Sequence, residues 1–116
     1  MPIEFNGTTS FIDLESPSTL DDIEMSGATS GMTASFWIYP FTFGEGSLGR
    51  VYSKGQASQS GAMHIRLDNV NVNSSVCLQK DFSTTDLVVF STNGAVILNR
   101  WQHFMVVWTG TSQISS

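Results

Sequence analysis

The stretch MTASFWIYP, residues 32–40, decides the fold class of this chain. Two kinds of side chain alternate along it. One face carries the apolar residues Met32, Ala34, Phe36 and Ile38, and the other carries Thr33, Ser35, Trp37 and Tyr39, which are hydroxyl-bearing or aromatic. A period of two residues is that of a β-strand. Pro40 lacks a backbone N–H and ends the ladder. The stretch therefore predicts a strand over residues 32–39.

Two further stretches predict strands of different exposure. Residues 62–68, AMHIRLD, alternate apolar side chains with His64, Arg66 and Asp68, which predicts one buried face and one solvent-exposed face. Residues 103–108, HFMVVW, are apolar on both sides after His103, which predicts a strand that is covered on both faces and lies deepest. Weaker strand candidates, rich in β-branched or aromatic residues, are Ile3–Phe5, Ser10–Leu14, Arg50–Ser53, Ser75–Lys80 and Leu87–Ser91.

The segments between these candidates are rich in glycine, asparagine and serine, which favour turns. No window of ten or more residues carries an apolar stripe at helical spacing, and Leu20–Met25 is expected to form one helical turn or a loop. Many short strands with glycine-rich turns predict an all-β fold, an antiparallel β-sandwich or jelly roll. Residues 1–116 are predicted to form a single domain.

Composition excludes several classes of function. Charged residues make up 13% of the 116 residues and hydrophobic residues 41%, which excludes a charge-rich disordered tail and a coiled coil. The net charge of −5 repels phosphate, so no nucleic-acid partner is expected. No apolar run approaches the roughly 18 residues of a membrane-spanning helix. Cys77 is the only cysteine, which excludes an internal disulfide and a thiolate zinc site and predicts a small buried side chain.

Four blocks of sequence carry a family resemblance. They are Phe5-Asn6-Gly7 with Ser10–Leu14, Met32–Pro40, Val51–Gly55, and Arg100–Gly110. In this order they resemble the concanavalin A-like jelly roll in its laminin-G-like form. The last block, with Trp101 and His103 leading into an apolar strand, is the most diagnostic. The resemblance implies a non-catalytic recognition or adhesion module that binds a glycan or a protein surface.

The chain departs from this family at its carboxyl end. Members usually continue past the turn at Gly110 with further strands, whereas the sequence stops at Ser116. The last strands of the jelly roll are therefore expected to be missing, which leaves sheet edges open to homo-oligomerisation. The alternative function is a structural building block of a virus particle or surface assembly whose sheet is completed by neighbouring chains. The amino terminus, MPIEFNGTTS, shows no secretory signal, so an extracellular or virion-surface location requires another route.

Catalysis is not expected. Glycosidases need two carboxylates about 5 to 9.5 Å apart, and the Glu-x-Asp-x-x-Glu strand of the related glucanases has no counterpart here. Asp13 and Glu15 share a strand face but have no second acidic pair, and the acidic run at residues 21–24 falls in a predicted loop. His103 corresponds to a family position that is structural, and we expect it to be hydrogen-bonded at a strand start.

Two candidate binding sites remain. Asp68 and Asn69 open an asparagine-rich segment whose oxygens suit Ca²⁺, a cofactor that many laminin-G-like modules bind; the competing interpretation is an asparagine-rich turn. For a glycan, an exposed aromatic ring must accompany polar groups. Candidate ligand-binding residues are Tyr39, Tyr52, His64 and Arg66.

Overall fold

The computed structural model describes residues 3–6, 9–13, 32–55, 62–81 and 86–108, and these form two antiparallel β-sheets. The strands are β1 (Met32–Ile38), β2 (Arg50–Lys54), β3 (Met63–Asp68), β4 (Ser75–Lys80), β5 (Leu87–Phe90) and β6 (Gln102–Trp108). One sheet pairs β1 with β6, and the other has the order β2-β3-β4-β5. The only helical element in the described part of the chain is a single 3-10 turn at Glu45–Ser47.

The core lies between the two sheets. Buried apolar side chains come mainly from the four-stranded sheet and include Met63, Ile65, Leu67, Val76 and Leu78. The inward residues of the other sheet pack against them: Met32, Ala34, Phe36, Ile38, Phe104 and Val106. The alternation in residues 32–39 thus places one face of β1 on the core, as predicted. The expected all-β sandwich is confirmed.

Two exposure predictions are wrong, and they are wrong in opposite senses. The polar face of β3 is buried, with His64 only 2% exposed and Asp68 fully buried, because β3 is an inner strand whose polar side chains hydrogen-bond one another. The apolar strand β6 packs one face on the core through Phe104 and Val106 and leaves Met105 and Val107 exposed on the other, because no described element packs over that outer face.

The first predicted strands are also wrong. Residues 3–5 and 10–13 carry no strand, and Leu14 lies outside the described residues. Instead, the Asn6 side-chain oxygen accepts backbone N–H bonds from Thr9 and Ser10, both at 2.9 Å. This is a local turn, since asparagine satisfies nearby backbone donors in this way. The predicted helical turn at Leu20–Met25 and the acidic run at residues 21–24 lie outside the described residues.

Candidate functional site

Three exposed aromatic rings meet where β1 ends and β6 begins. Ile38 pairs with Gln102, so the next pair outward is Tyr39 and Trp101. Their ring centroids lie 5.6 Å apart in an edge-on arrangement, and Phe41 lies 5.2 Å from Tyr39. Trp101 is 51% exposed and Phe41 59% exposed. We call Tyr39, Phe41 and Trp101 the aromatic cluster.

Backbone hydrogen bonds hold this cluster in place. The Asn99 N–H donates to the carbonyl of buried Pro40 over 2.8 Å, and Asn99 adopts a φ of 57° that asparagine tolerates. The Gln102 side chain accepts from the Ile97 N–H at 2.7 Å and donates to the Ala95 carbonyl at 2.9 Å. These hydrogen bonds fix the backbone of the loop before Trp101 and join it to Pro40, which lies between Tyr39 and Phe41.

The outer face of the β1–β6 sheet continues from the aromatic cluster. It carries Thr33, Ser35 and Trp37 from β1 and His103, Met105 and Val107 from β6. We call these six residues the charge-free face, since neither strand contains an acidic residue, a lysine or an arginine. His103 shares a hydrogen bond of 2.8 Å with the Ser35 hydroxyl, as expected of a hydrogen-bonded histidine, and its ring lies 5.1 Å from that of Trp37.

The four predicted ligand-binding residues do not come together at one exposed surface. Tyr39 belongs to the aromatic cluster, whereas Tyr52 lies on β2 and packs against the core. Buried His64 shares a hydrogen bond of 2.8 Å with the Ser53 hydroxyl. Arg66 donates from its guanidinium to Asp68 and to Gln79. The expected shallow polar surface is therefore replaced by an internal hydrogen-bond network.

The Asp68 carboxylate organises the turn between β3 and β4. Its Oδ1 accepts the backbone N–H groups of Val70 at 2.9 Å and Asn71 at 2.8 Å. Its Oδ2 accepts the Asn71 side-chain amide at 2.8 Å and the Arg66 Nε–H at 3.3 Å. Burial by itself raises the pKa of Asp68, but the hydrogen bonds from Asn71, Val70 and Arg66 outweigh it and lower this pKa from 3.8 to about 2.

These contacts bear on the predicted Ca²⁺ ligands. Both carboxylate oxygens of Asp68 accept hydrogen bonds, and the Asn69 side-chain oxygen accepts the Ser74 N–H at 3.0 Å. Within the described ranges, no three His, Cys, Asp or Glu side chains group together in a way that could hold a metal ion. The geometry supports the turn interpretation, while Ca²⁺ binding stays a prediction that calorimetric titration tests.

The two buried carboxylates among the described residues, Asp68 and Asp81, belong to one hydrogen-bond network. The Arg66 guanidinium donates to Asp68 and also to the side-chain oxygen of Gln79. The Gln79 amide donates to Asp81 at 2.8 Å, so this carboxylate also belongs to the internal network.

Sequence reasoning missed Phe41 and did not place Trp101 among the candidate ligand-binding residues. Phe41 follows Pro40 and lies outside any strand, so strand alternation gave no expectation for its exposure. The available signal was register: an antiparallel pair of β1 and β6 sets residues 39 and 101 opposite each other. That pairing joins distant parts of the chain and is not visible in local periodicity.

Comparison with known families identifies this fold. The family model described as the concanavalin A-like lectin/glucanases superfamily, in its laminin-G form, matches residues 6–115. The chain therefore belongs to this superfamily, as the four sequence blocks predicted. No curated protein and no solved structure gave a match. Laminin-G-like domains commonly bind other molecules and are typically non-catalytic. In the described part of the chain no helix is long and apolar enough to cross a membrane.

Proposed function

We propose that this chain is a non-catalytic recognition module that binds a glycan through the aromatic cluster. The observation that carries the proposal is the solvent-exposed group of Tyr39, Phe41 and Trp101, in which the Tyr39 ring contacts both other rings. Aromatic rings present a flat apolar surface on which the apolar face of a sugar ring stacks. Rings that already contact one another lose less conformational freedom on binding, which favours affinity.

Polar groups beside the rings suit sugar hydroxyls. The Tyr39 hydroxyl, the Trp101 indole N–H and the exposed side chains of Asn99 and Arg100 lie on or next to the cluster. These are the few directed donors and acceptors that fix a ligand's orientation on an apolar platform. The support is the combination of stacking surface and adjacent hydrogen-bonding groups.

The test is a binding screen of the 116-residue chain against purified neutral oligosaccharides built from glucose, galactose, mannose and xylose. We expect at least one to bind, and the variants Trp101→Ala and Tyr39→Ala to bind it about tenfold more weakly, a loss that corresponds to about 1.4 kcal/mol. Phe11→Ala is the matched control, because Phe11 is an exposed aromatic residue outside the cluster.

Two outcomes contradict the proposal. One is that no oligosaccharide binds at millimolar concentration. The other is that Trp101→Ala binds as tightly as the unaltered chain while remaining folded by circular dichroism. If a protein surface rather than a glycan is captured and the same two variants abolish capture, the module recognises proteins.

A second function, a building block of a larger assembly, has one observation in its favour. Within the described residues β1 and β6 pair only with each other, so this part of the chain leaves one edge of each strand at which a neighbour's strand can add. Repeated strand addition by identical copies is heterologous and produces open polymers. Electron microscopy of concentrated protein tests this alternative, since it requires filaments or sheets.

A further inference from the structure

The charge-free face carries exposed apolar side chains that do not belong to the aromatic cluster. Trp37 is 66% exposed, Met105 63% and Val107 56%. Met105 and Val107 are next to each other on the same face of β6, and Trp37 lies diagonally opposite Met105, since Trp37 pairs with His103 and Ser35 with Met105. A contiguous exposed apolar patch marks an interaction surface.

Electrostatics indicates which partner this face fits. The chain carries ten acidic and five basic side chains and a net charge of −5, yet the fourteen residues of β1 and β6 contain none of them. Two copies of the chain repel each other wherever their acidic surfaces approach. The charge-free face is a surface through which a second copy can make contact without placing like charges opposite each other.

The composition of the charge-free face favours a second copy of the chain over other binding partners. Interfaces with transient protein partners keep charged groups at a polar rim that set partner choice, whereas homodimer interfaces are more apolar. Met105 and Val107 offer a sugar neither a stacking ring nor a hydrogen bond. Met105 is the middle residue of β6 and pairs with Ser35, the middle residue of β1, so it lies at the centre of the face.

We propose that two copies of this chain form a closed homodimer by packing their charge-free faces together. A twofold axis places the same six residues on both sides of the interface, so the contact is self-complementary and stops at two copies. The sheets are expected to stack about 10 Å apart, as sheets do when their faces pack.

Sedimentation equilibrium of the 116-residue chain from about 1 µM to about 1 mM tests the proposal. We expect a monomer–dimer equilibrium, and we expect Met105→Glu to raise its dissociation constant about tenfold or more. Val88→Glu is the matched control, because Val88 is an exposed apolar residue on the other sheet and the substitution adds the same charge. Added NaCl is expected to strengthen the dimer, because salt screens the repulsion between the two acidic copies.

Three results overturn the homodimer. The first is a monomer throughout the concentration range. The second is equal weakening by Met105→Glu and Val88→Glu. The third is growth beyond two copies, which indicates strand addition at the sheet edges. Glycan binding is tested with Trp101→Ala and dimerisation with Met105→Glu, so failure of the glycan proposal and failure of the homodimer are measured separately.

Discussion

At the scale of single residues, the Asp68 carboxylate closes the β3–β4 turn. It gathers four hydrogen bonds from three residues, Arg66, Val70 and Asn71, while its side chain is fully buried. Buried carboxylates in this arrangement favour their charged form. The turn therefore depends on the ionisation of one group.

We expect Asp68→Asn to lower the free energy of unfolding by about 2 kcal/mol at pH 7, since a pKa lowered from 3.8 to about 2 corresponds to roughly that amount. The folded-state pKa is the lower one, so this stabilisation is complete above about pH 5 and is lost as the pH falls through 3.8 toward 2. Urea denaturation at pH 7 and at pH 2 measures the difference.

Glu45→Gln is the control for this prediction, because Glu45 is an exposed carboxylate in the neighbouring 3-10 turn. It should leave the unfolding free energy within about 0.5 kcal/mol at both pH values. An Asp68→Asn variant that is as stable as the unaltered chain at pH 7 would show that the four hydrogen bonds are exchanged for water without cost.

The sequence predicted which residues form this turn, but it did not predict where their side chains point. The sequence places Asp68 and Asn69 in a turn, and both a Ca²⁺ site and a self-capped turn use the same oxygens. What separates them is where the Arg66 guanidinium points, and Arg66 was expected to face solvent. In the folded chain it lies on a buried sheet face and donates to Asp68.

At the scale of elements, the loop before β2 relies on close backbone packing. Gly44 has a φ of 78°, and a side chain there would approach the Gly49 Cα to 2.5 Å. The Gly49 N–H donates to the Phe43 carbonyl across the same contact. Gly94 has the same φ of 78° but open space around it.

These two glycines form a matched pair. We expect Gly94→Ala to lower the free energy of unfolding by about 1 kcal/mol, because an L-residue disfavours the left-handed conformation. Gly44→Ala should cost about 2 kcal/mol more, because the added methyl group also forces two backbone segments apart. Thermal unfolding of both variants measures the difference, and equal losses would mean that the loop relaxes around the methyl group.

Strand positions were largely predictable from the sequence, but sheet membership was not. Each of the six strands lies within one residue of a predicted strand, β1 and β3 from alternation and the others from apolar, β-branched or aromatic content, whereas the strands predicted near residues 3–5 and 10–14 were wrong. However, β3 is more buried than predicted and β6 is more exposed, because the burial of a strand depends on its neighbours as well as on its own residues. The HFMVVW pattern is typical of a covered strand, and in this structure one of its two apolar faces is open.

At the scale of the whole molecule, Cys77 reports on the integrity of the fold. The side chain is fully buried on β4, and burial raises the pKa of its thiol, an effect that the Arg66 charge partly opposes. Thiolate is the reactive form of cysteine, so the folded chain should react slowly with a disulfide reagent.

We expect Cys77 in the native chain to react with a chromogenic disulfide reagent at pH 8 no faster than the chain unfolds. Reaction should be complete within seconds in concentrated urea, which serves as the internal control. Immediate reaction without denaturant would show that the four-stranded sheet opens locally at β4.

The pairing of β1 with β6 has a consequence for biosynthesis. The four-stranded sheet is a meander in which every strand pairs with the next one along the chain, so its contacts are local. Met32, by contrast, pairs with Trp108, which is 76 residues later (108 − 32). A ribosome adds about 5 to 20 residues per second, so β6 is synthesised several seconds after β1. All four strands of the meander are synthesised before β6. The apolar residues of β1 remain without a ladder partner during that interval, so among the described strands β1 is the one that stays exposed longest and that a chaperone would protect.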